Sequence, residues 1–93
     1  MEIKQLDNGK SGKFVVSRND ERIGSVSYTW KDEQHISIDY VEVRDDLRGN
    51  GLGYRVFLAV MDEVRKQGLK VTPVCSFAVA AMERTESLWD LRK

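Results

Sequence analysis

The sequence feature that most constrains this chain is the run Arg-Gly-Asn-Gly-Leu-Gly at residues 48–53. An extended, apolar-rich stretch over 36–43 leads into this run, and a helical pattern without proline continues from 51 to 67. Glycines let the backbone approach a ligand closely because no side chain shields the N–H groups. A helix N-terminus adds unpaired donors and about half a positive charge. The junction predicts a site for a phosphate or pyrophosphate, although strand-to-helix turns also favour glycine for geometry alone.

The composition argues against several classes of protein. Fifteen basic residues balance fifteen acidic ones, which argues against non-specific binding to nucleic acid. Residues 1–4 contain no apolar signal core, and no stretch approaches transmembrane length, so no membrane association is expected. One cysteine cannot form an internal disulfide, and one histidine cannot build a metal cluster. We expect one compact cytoplasmic domain over residues 1–93, without a metal, as a monomer or a weak homodimer.

Four strands are predicted before the glycine run, over residues 3–6, 13–18, 22–30 and 34–43. Their links are short, and the first one contains the hairpin signal Asp-Asn-Gly at residues 7–9, so an antiparallel meander is expected. In the last strand Ile36, Ile38 and Tyr40 share one face, but Val41 and Val43 continue the apolar character in the opposite phase. This slip indicates either a β-bulge or a strand that is buried on both faces.

After the glycine run the pattern predicts a helix, a strand and a second helix. Apolar residues follow helical spacing through residues 51–67, and Gly68 fits the left-handed position that ends a helix. A fifth strand is predicted over 69–74, and Ser76 is expected to cap a second helix over 77–84. The tail over 88–91 is expected to pack one or two apolar side chains. The predicted fold is α+β, ββββαβα, with a mixed sheet.

Two common nucleotide motifs do not fit the glycine run. No Gly-Lys-Ser/Thr follows, which excludes a P-loop, and the chain is too short downstream for a doubly wound dinucleotide fold. The spacing Arg48-x-x-Gly51-x-Gly53 after four antiparallel strands resembles the acetyl-coenzyme A signature of the GNAT superfamily of N-acetyltransferases. The resemblance implies that Val43 contacts the pantetheine arm of the co-substrate acetyl-coenzyme A. It also implies a pyrophosphate site formed by the loop residues Arg48, Gly49, Asn50, Gly51, Leu52, Gly53 and Tyr54.

The single cysteine, Cys75, falls at the end of the fifth predicted strand and just before the second helix. A lone cysteine is often a buried, inert side chain, whereas the N-terminus of a helix favours the reactive thiolate. The stretch Pro73-x-Cys75-x-Phe77 resembles a minimal, single-cysteine (YjdJ-like) branch of the superfamily, in which this cysteine is the suspected catalytic residue. The chain departs from that branch at Ala81, where an aromatic hydroxyl is often found.

Glu42 is the best-placed candidate general base near the loop, since a carboxylate there can accept a proton from an incoming ammonium. The alternative is that Glu42 is an exposed strand residue or an ion-pair partner of Arg44. Tyr54 is a candidate phosphate contact or acid, with packing at the helix start as the alternative, and His35 is expected at the surface.

These observations predict an N-acetyltransferase-like protein that binds acetyl-coenzyme A and transfers acetyl to an unidentified amine. The alternative is a non-catalytic module that binds coenzyme A or acyl-coenzyme A.

Overall fold

The chain runs through four consecutive strands and then a helix, a strand and a second helix, in a computed structural model that describes residues 1–93. The strands are β1 Glu2–Asp7, β2 Ser11–Arg18, β3 Glu21–Asp32, β4 His35–Val43 and β5 Lys70–Pro73. The helices are α1 Leu52–Lys66 and α2 Ser76–Glu83, with 3-10 segments at Asp45–Leu47 and Glu86–Leu91. This order confirms the predicted ββββαβα fold. Neither helix is long and apolar enough to cross a membrane.

The five strands form one mixed sheet in the order β1-β2-β3-β4-β5. The first four strands are antiparallel because their connections are tight turns, which the backbone supports with positive φ at Gly9, Asn19 and Asp20. Strand β5 is parallel to β4, and α1 supplies the crossover that a parallel pair needs. The sheet therefore places the start of α1 and the end of β5 beside the same strand, β4.

A β-bulge interrupts β4 in its middle. Ser27 of β3 pairs with Tyr40, whereas the next residue of β3 pairs with Ile38, so that Asp39 has no partner. This observation confirms the bulge and decides against a regular strand buried on both faces. Beyond the bulge the side-chain phase is inverted, so that Val41 and Val43 face the same side as Ile38.

Both helices pack on one face of the sheet, where a single apolar core fills the space between the two layers. The alternating apolar residues of the strands point into this core, and α1 presents a helical stripe to it. Leu88 and Leu91 of the tail are buried in the same core, as predicted. The largest fully buried side chains are those of Tyr28, Phe14, Phe57, Ile36, Ile38, Leu52, Met61 and Met82.

The opposite face of the sheet carries no helix and is rich in hydroxyl groups. The bulged residue Asp39 lies on this face, where its carboxylate accepts hydrogen bonds from Thr29 at 2.5 Å and from Ser37 at 2.7 Å. Antiparallel sheets commonly leave one face to solvent. The molecule is consequently a two-layer sandwich with one polar sheet surface.

The helix ends agree with the sequence prediction at one position and differ at another. Gly68 has φ +70° beyond the end of α1, as expected for a left-handed residue at that position. The predicted cap at Ser76 is wrong, because Ser76 is already helical and Cys75 is the N-cap of α2. The Cys75 sulfur accepts the Ala78 N–H at 3.4 Å. The helix starts one residue earlier than predicted. The Ile38 carbonyl accepts the Cys75 N–H at 3.4 Å, and Cys75 is extended, so that the helix begins directly after it.

A buried tyrosine organises the edge of the core next to the first hairpin. Tyr28 is 1% exposed, and its hydroxyl donates to the carboxylate of Asp7. The Trp30 indole donates to the same carboxylate at 2.7 Å. The Tyr28 hydroxyl, together with the Gly9 amide and Trp30, holds the pKa of Asp7 below its ordinary value of 3.8. Burial, assisted by Asp7, raises the pKa of Tyr28 to about 12.

We expect the stabilising effect of Asp7 to depend on pH. Because the folded-state pKa of Asp7 is lowered, the ionised carboxylate stabilises the fold above the unfolded pKa near 3.8, and this contribution disappears as the pH falls through the folded pKa. Asp7→Asn should therefore lower the free energy of unfolding at about pH 7, and the difference from wild type should shrink by about pH 3. Urea unfolding at both pH values measures the difference, and an equal difference at both would contradict the assignment.

A second prediction concerns Gly12, which lies directly against Tyr28. A Cβ atom at this position would collide with the Tyr28 hydroxyl and would lie 2.5 Å from the carbonyl oxygen of Leu6. Because a backbone atom cannot move aside, Gly12→Ala should destabilise the protein by about 1–3 kcal/mol or more in chemical denaturation. Gly53→Ala is the control, since its nearest neighbour is the tip of the Phe77 ring at 3.2 Å and alanine is preferred in a helix.

Candidate coenzyme site

The glycine run forms a turn, here called the glycine turn, at the start of α1. Gly49 and Gly51 have φ values of +93° and +77°, a left-handed conformation that L side chains rarely adopt. Gly51 is the N-cap of α1, and no side chain caps the helix or places a carboxylate in its first turn. The first backbone hydrogen bond of the helix runs from the Arg55 N–H to the Gly51 carbonyl at 3.2 Å. The preceding N–H groups, those of Leu52, Gly53 and Tyr54, remain available to a ligand.

An arginine fixes the segment that leads into this turn. Arg44 donates two hydrogen bonds to the carboxylate of Asp46, at 2.7 and 3.0 Å, and a third to Glu21 at 3.1 Å. The hydrogen bonds with Arg44 lower the pKa of Asp46, and Asp46, with Glu21, raises the pKa of Arg44. These ion pairs tie the end of β4 to the turn between β2 and β3. Arg48 is 3.3 Å from Asp45 and so remains beside the glycine run.

A cleft of about 330 Å³ opens beside the glycine turn, between β4 and the start of α2. Seven of the eight residues predicted to bind the coenzyme line it, and only the exposed Asn50 does not. Its lining residues are Val41, Val43, Arg48, Gly49, Gly51, Leu52, Gly53, Tyr54, Phe77 and Arg84. None of the ten is acidic. The structure therefore brings the predicted residues together around one concave and positively charged surface.

Three lining residues were not selected from the sequence. Val41 reaches the cleft because of the bulge. The sequence could have indicated it, since Val41 lies two residues before Val43 and therefore shares its face of the strand. The Phe77 ring lies 3.2 Å from the position that a Cβ atom on Gly53 would occupy, so this ring packs directly beside the first turn of α1. The sequence around Arg84 does not indicate a place in the cleft, because only the packing of α2 against α1 brings Arg84 there.

Tyr54 is held by contacts with the end of α2. The Thr85 hydroxyl donates its proton to the Ala81 carbonyl at 2.7 Å, so the Tyr54 hydroxyl must be the donor in its hydrogen bond with Thr85. The Arg84 guanidinium lies 3.9 Å from the centroid of the Tyr54 ring. The geometry supports a packing and positioning role for Tyr54, since its only proton is already engaged.

Cys75 lies where β4 and β5 separate. The last residue pair between these strands joins Ile38 and Pro73, and the Ile38 carbonyl then accepts the Val74 N–H at 2.9 Å. Cys75 is half-buried, it has no disulfide partner, and its sulfur contacts the first turn of α2. It is not a lining residue of the cleft, whereas Phe77, two residues later, is. The cysteine is thus at the fork between the strands rather than beside the glycine turn.

Glu42 faces the polar side of the sheet, opposite to Val41 and Val43. It borders a second cavity of about 320 Å³ together with Arg22, from which its carboxylate is 3.9 Å away. Glu42 is an exposed strand residue, which was one of the two alternatives to a catalytic role. The other alternative, an ion pair with Arg44, is not formed, because Asp46 and Glu21 bind that guanidinium. The structure therefore does not bring Glu42 into the cleft with the glycine turn.

His35, expected at the surface, is half-buried at the start of β4. Its Nε2 atom is 2.6 Å from the Thr72 hydroxyl oxygen of β5. This contact joins the two parallel strands at the end away from the cleft.

Comparison with known families agrees with this architecture. Residues 13–91 match the family model described as GCN5-related N-acetyl-transferase. Because the match covers most of the sequence, the chain belongs to the GCN5-related N-acetyltransferase (GNAT) family. The family model does not single out the single-cysteine branch, so membership of that branch stays a prediction. No match was found among curated proteins.

Solved structures show the same fold. The NMR structure of a GCN5-like protein from Staphylococcus aureus is 32% identical, with a TM-score of 0.69, and the alignment covers 99% of this chain and 87% of the other. A GNAT family acetyltransferase from Elizabethkingia anophelis with acetyl-CoA bound has a TM-score of 0.65 at 13% identity, over 89% and 72% of the two chains. A Bacillus subtilis acetyltransferase in complex with CoA has a TM-score of 0.62 at 15% identity, over 81% and 53%. The chain thus spans about half the length of the last relative.

Proposed function

We propose that this protein binds acetyl-coenzyme A in the cleft beside the glycine turn and transfers the acetyl group to an amine. The observation that carries the proposal is the uncapped N-terminus of α1, which opens with two left-handed glycines onto a cleft without acidic residues. Membership of the GNAT family supports it, as do the relatives that were solved with CoA or acetyl-CoA bound.

In this proposal the coenzyme is held at two parts of the cleft. The N–H groups of the glycine turn bind the pyrophosphate, with Arg48 adding positive charge, and each charge-assisted hydrogen bond contributes about 1.5–3 kcal/mol before ordering costs. The pantetheine arm lies along β4, where Val41 and Val43 offer an apolar wall. The bulge supports this arrangement, since it turns both side chains towards the cleft.

The thioester would then reach the fork between β4 and β5, where Cys75 lies. A backbone N–H of β4 near Val43 polarises the thioester carbonyl, a stabilisation of about 2.7–4 kcal/mol in comparable oxyanion sites. The Cys75 sulfur attacks the carbonyl carbon, a C–S bond to Cys75 forms, the C–S bond to coenzyme A breaks, and the proton of the Cys75 thiol passes to the departing coenzyme A sulfur. The acceptor amine next attacks the acetyl-cysteine, a C–N bond forms, the C–S bond to Cys75 breaks, and the proton released by the amine restores the Cys75 thiol. Direct attack of the amine on acetyl-coenzyme A is the competing route.

Glu42 would accept the proton that the amine loses. Its position on the polar face of the sheet, away from the cleft, is compatible with an amine that approaches from that face. A water molecule would relay the proton.

The second candidate function is a coenzyme A-binding module without turnover. Two observations favour it: the Cys75 sulfur caps α2, and Glu42 faces away from the cleft towards Arg22. Both groups therefore have a structural explanation that needs no catalysis. The cleft and the glycine turn are the same in both proposals.

Coenzyme binding should depend on the left-handed conformation of Gly51. Alanine at this position has free space but costs about 1–2 kcal/mol in the left-handed region, so the free turn should relax out of this conformation. Because binding must then restore it, Gly51→Ala should weaken binding of coenzyme A by about tenfold in calorimetry. Gly68→Ala is the matched control, because Gly68 is also left-handed, also has free space and lies at the other end of α1. An equal effect of both variants on affinity would show that stability, and not the turn, is responsible.

Two variants separate the chemistry of Cys75 from its role as a cap. Cys75→Ser keeps an acceptor for the Ala78 N–H, whereas Cys75→Ala removes it and should cost about 0.5–2 kcal/mol of stability. If the thiol is the nucleophile, both variants lose acetyl transfer to an amine panel, and the wild type shows an acetyl adduct on Cys75 in mass spectrometry. If Cys75→Ser transfers acetyl at the wild-type rate, the amine attacks acetyl-coenzyme A directly. Coenzyme binding without transfer by the wild type would favour the binding module.

A further inference from the structure

Arg84 is the cation of the cleft that has no carboxylate partner. The other lining cation, Arg48, is paired with Asp45 at 3.3 Å, and the ion pairs at Arg22, Arg44 and Arg65 lie outside the cleft. No aspartate or glutamate lies within ion-pair distance of the Arg84 guanidinium. An arginine that lines a concave surface without a counter-ion is available to an anionic ligand.

The structure also restricts where this guanidinium can point. Arg84 is the C-cap residue of α2, and its guanidinium lies 3.9 Å from the centroid of the Tyr54 ring. The ring is itself fixed, because its hydroxyl donates to Thr85, the residue after Arg84, and Thr85 is bonded to the Ala81 carbonyl at 2.7 Å. Stacking on an aromatic ring leaves the N–H groups at the edge of the guanidinium free to bind a planar or tetrahedral anion.

The charge of the cleft fits a ligand with more than one anionic group. Two arginines and the N-terminus of α1 contribute positive potential, and none of the ten lining residues is acidic. The neighbouring cavity differs, since Glu42 and Asp45 balance Arg22 and Arg44 there. Arg84 belongs to α2 and not to the glycine turn, so its guanidinium is a separate positive charge in the same cleft.

We propose that Arg84 binds the 3′-phosphate of the coenzyme and so makes the cleft selective for coenzyme A over its 3′-dephospho form. The inference rests on the proposed coenzyme site. Coenzyme A carries a pyrophosphate and, separately, a phosphomonoester on the ribose. The glycine turn takes the first group, and the fork-shaped guanidinium of Arg84 donates two N–H groups to the second.

The experiment compares two ligands in three variants of the protein by calorimetry. Wild type should bind coenzyme A about tenfold more tightly than 3′-dephospho-coenzyme A, or better, which is the effect of a charged hydrogen bond. Arg84→Gln should bring this ratio close to one and leave the affinity for the dephospho ligand unchanged. Arg55→Gln is the matched control, because Arg55 is an exposed arginine next to Tyr54 and does not line the cleft. The ratio of its affinities for the two ligands should equal that of wild type.

Three results would overturn the inference. A wild-type ratio near one would show that the 3′-phosphate is not recognised. An equal loss of affinity for both ligands in Arg84→Gln would assign Arg84 to another part of the coenzyme, or to the packing of Tyr54 if the variant also melts earlier. Absence of binding of either ligand to wild type would refute the coenzyme site itself, which distinguishes failure of the proposed function from failure of the assignment of Arg84.

Discussion

The unpaired residue Asp39 in the middle of β4 is the feature on which the rest of this structure depends. Side chains alternate along a strand with a period of two, so one extra residue transfers every later side chain to the other face. Before the bulge, Ile36 and Ile38 pack into the core, and after it, Val41 and Val43 face the cleft. The same change of phase turns Glu42 to the polar face. The bulge thus decides which groups of β4 are beside the glycine turn and which are not.

The second constraint is the separation of β5 from β4 directly beside the bulge. Pairing ends at Ile38, whose carbonyl accepts the N–H groups of both Val74 and Cys75. Beyond β5 the helix α2 starts and packs against the first turn of α1, with Phe77 next to Gly53 and Arg84 over the Tyr54 ring, which places both residues in the cleft. The lining of the cleft therefore comes from β4, the glycine turn, the first turn of α1 and the two ends of α2.

The electrostatic character of the site comes from what the sequence leaves out as much as from what it contains. No acidic residue occupies the first turn of α1, and no side chain caps it, so its positive potential is directed at the cleft. Arg44 holds Asp46 and Glu21 in ion pairs on the approach to the turn. At the fork, by contrast, the Cys75 thiol serves as a helix cap, so the same atom that is proposed as nucleophile also stabilises α2.

Local patterns along the sequence determined the order of the elements and the glycine turn, because turn geometry and helix starts depend on neighbouring residues. The family resemblance selected eight residues, and seven of them line the cleft. The change of apolar phase between Tyr40 and Val41 left a bulge and a strand buried on both faces as alternatives, and the pairing of β4 with β3 decided for the bulge. Only the tertiary structure decided the partner of Glu42, the capping role of Cys75, and the presence of Phe77 and Arg84 in the cleft. These depend on contacts between residues far apart in the chain, such as Tyr54 with Thr85, which are created when α2 packs against α1 and leave no periodic signal in the sequence.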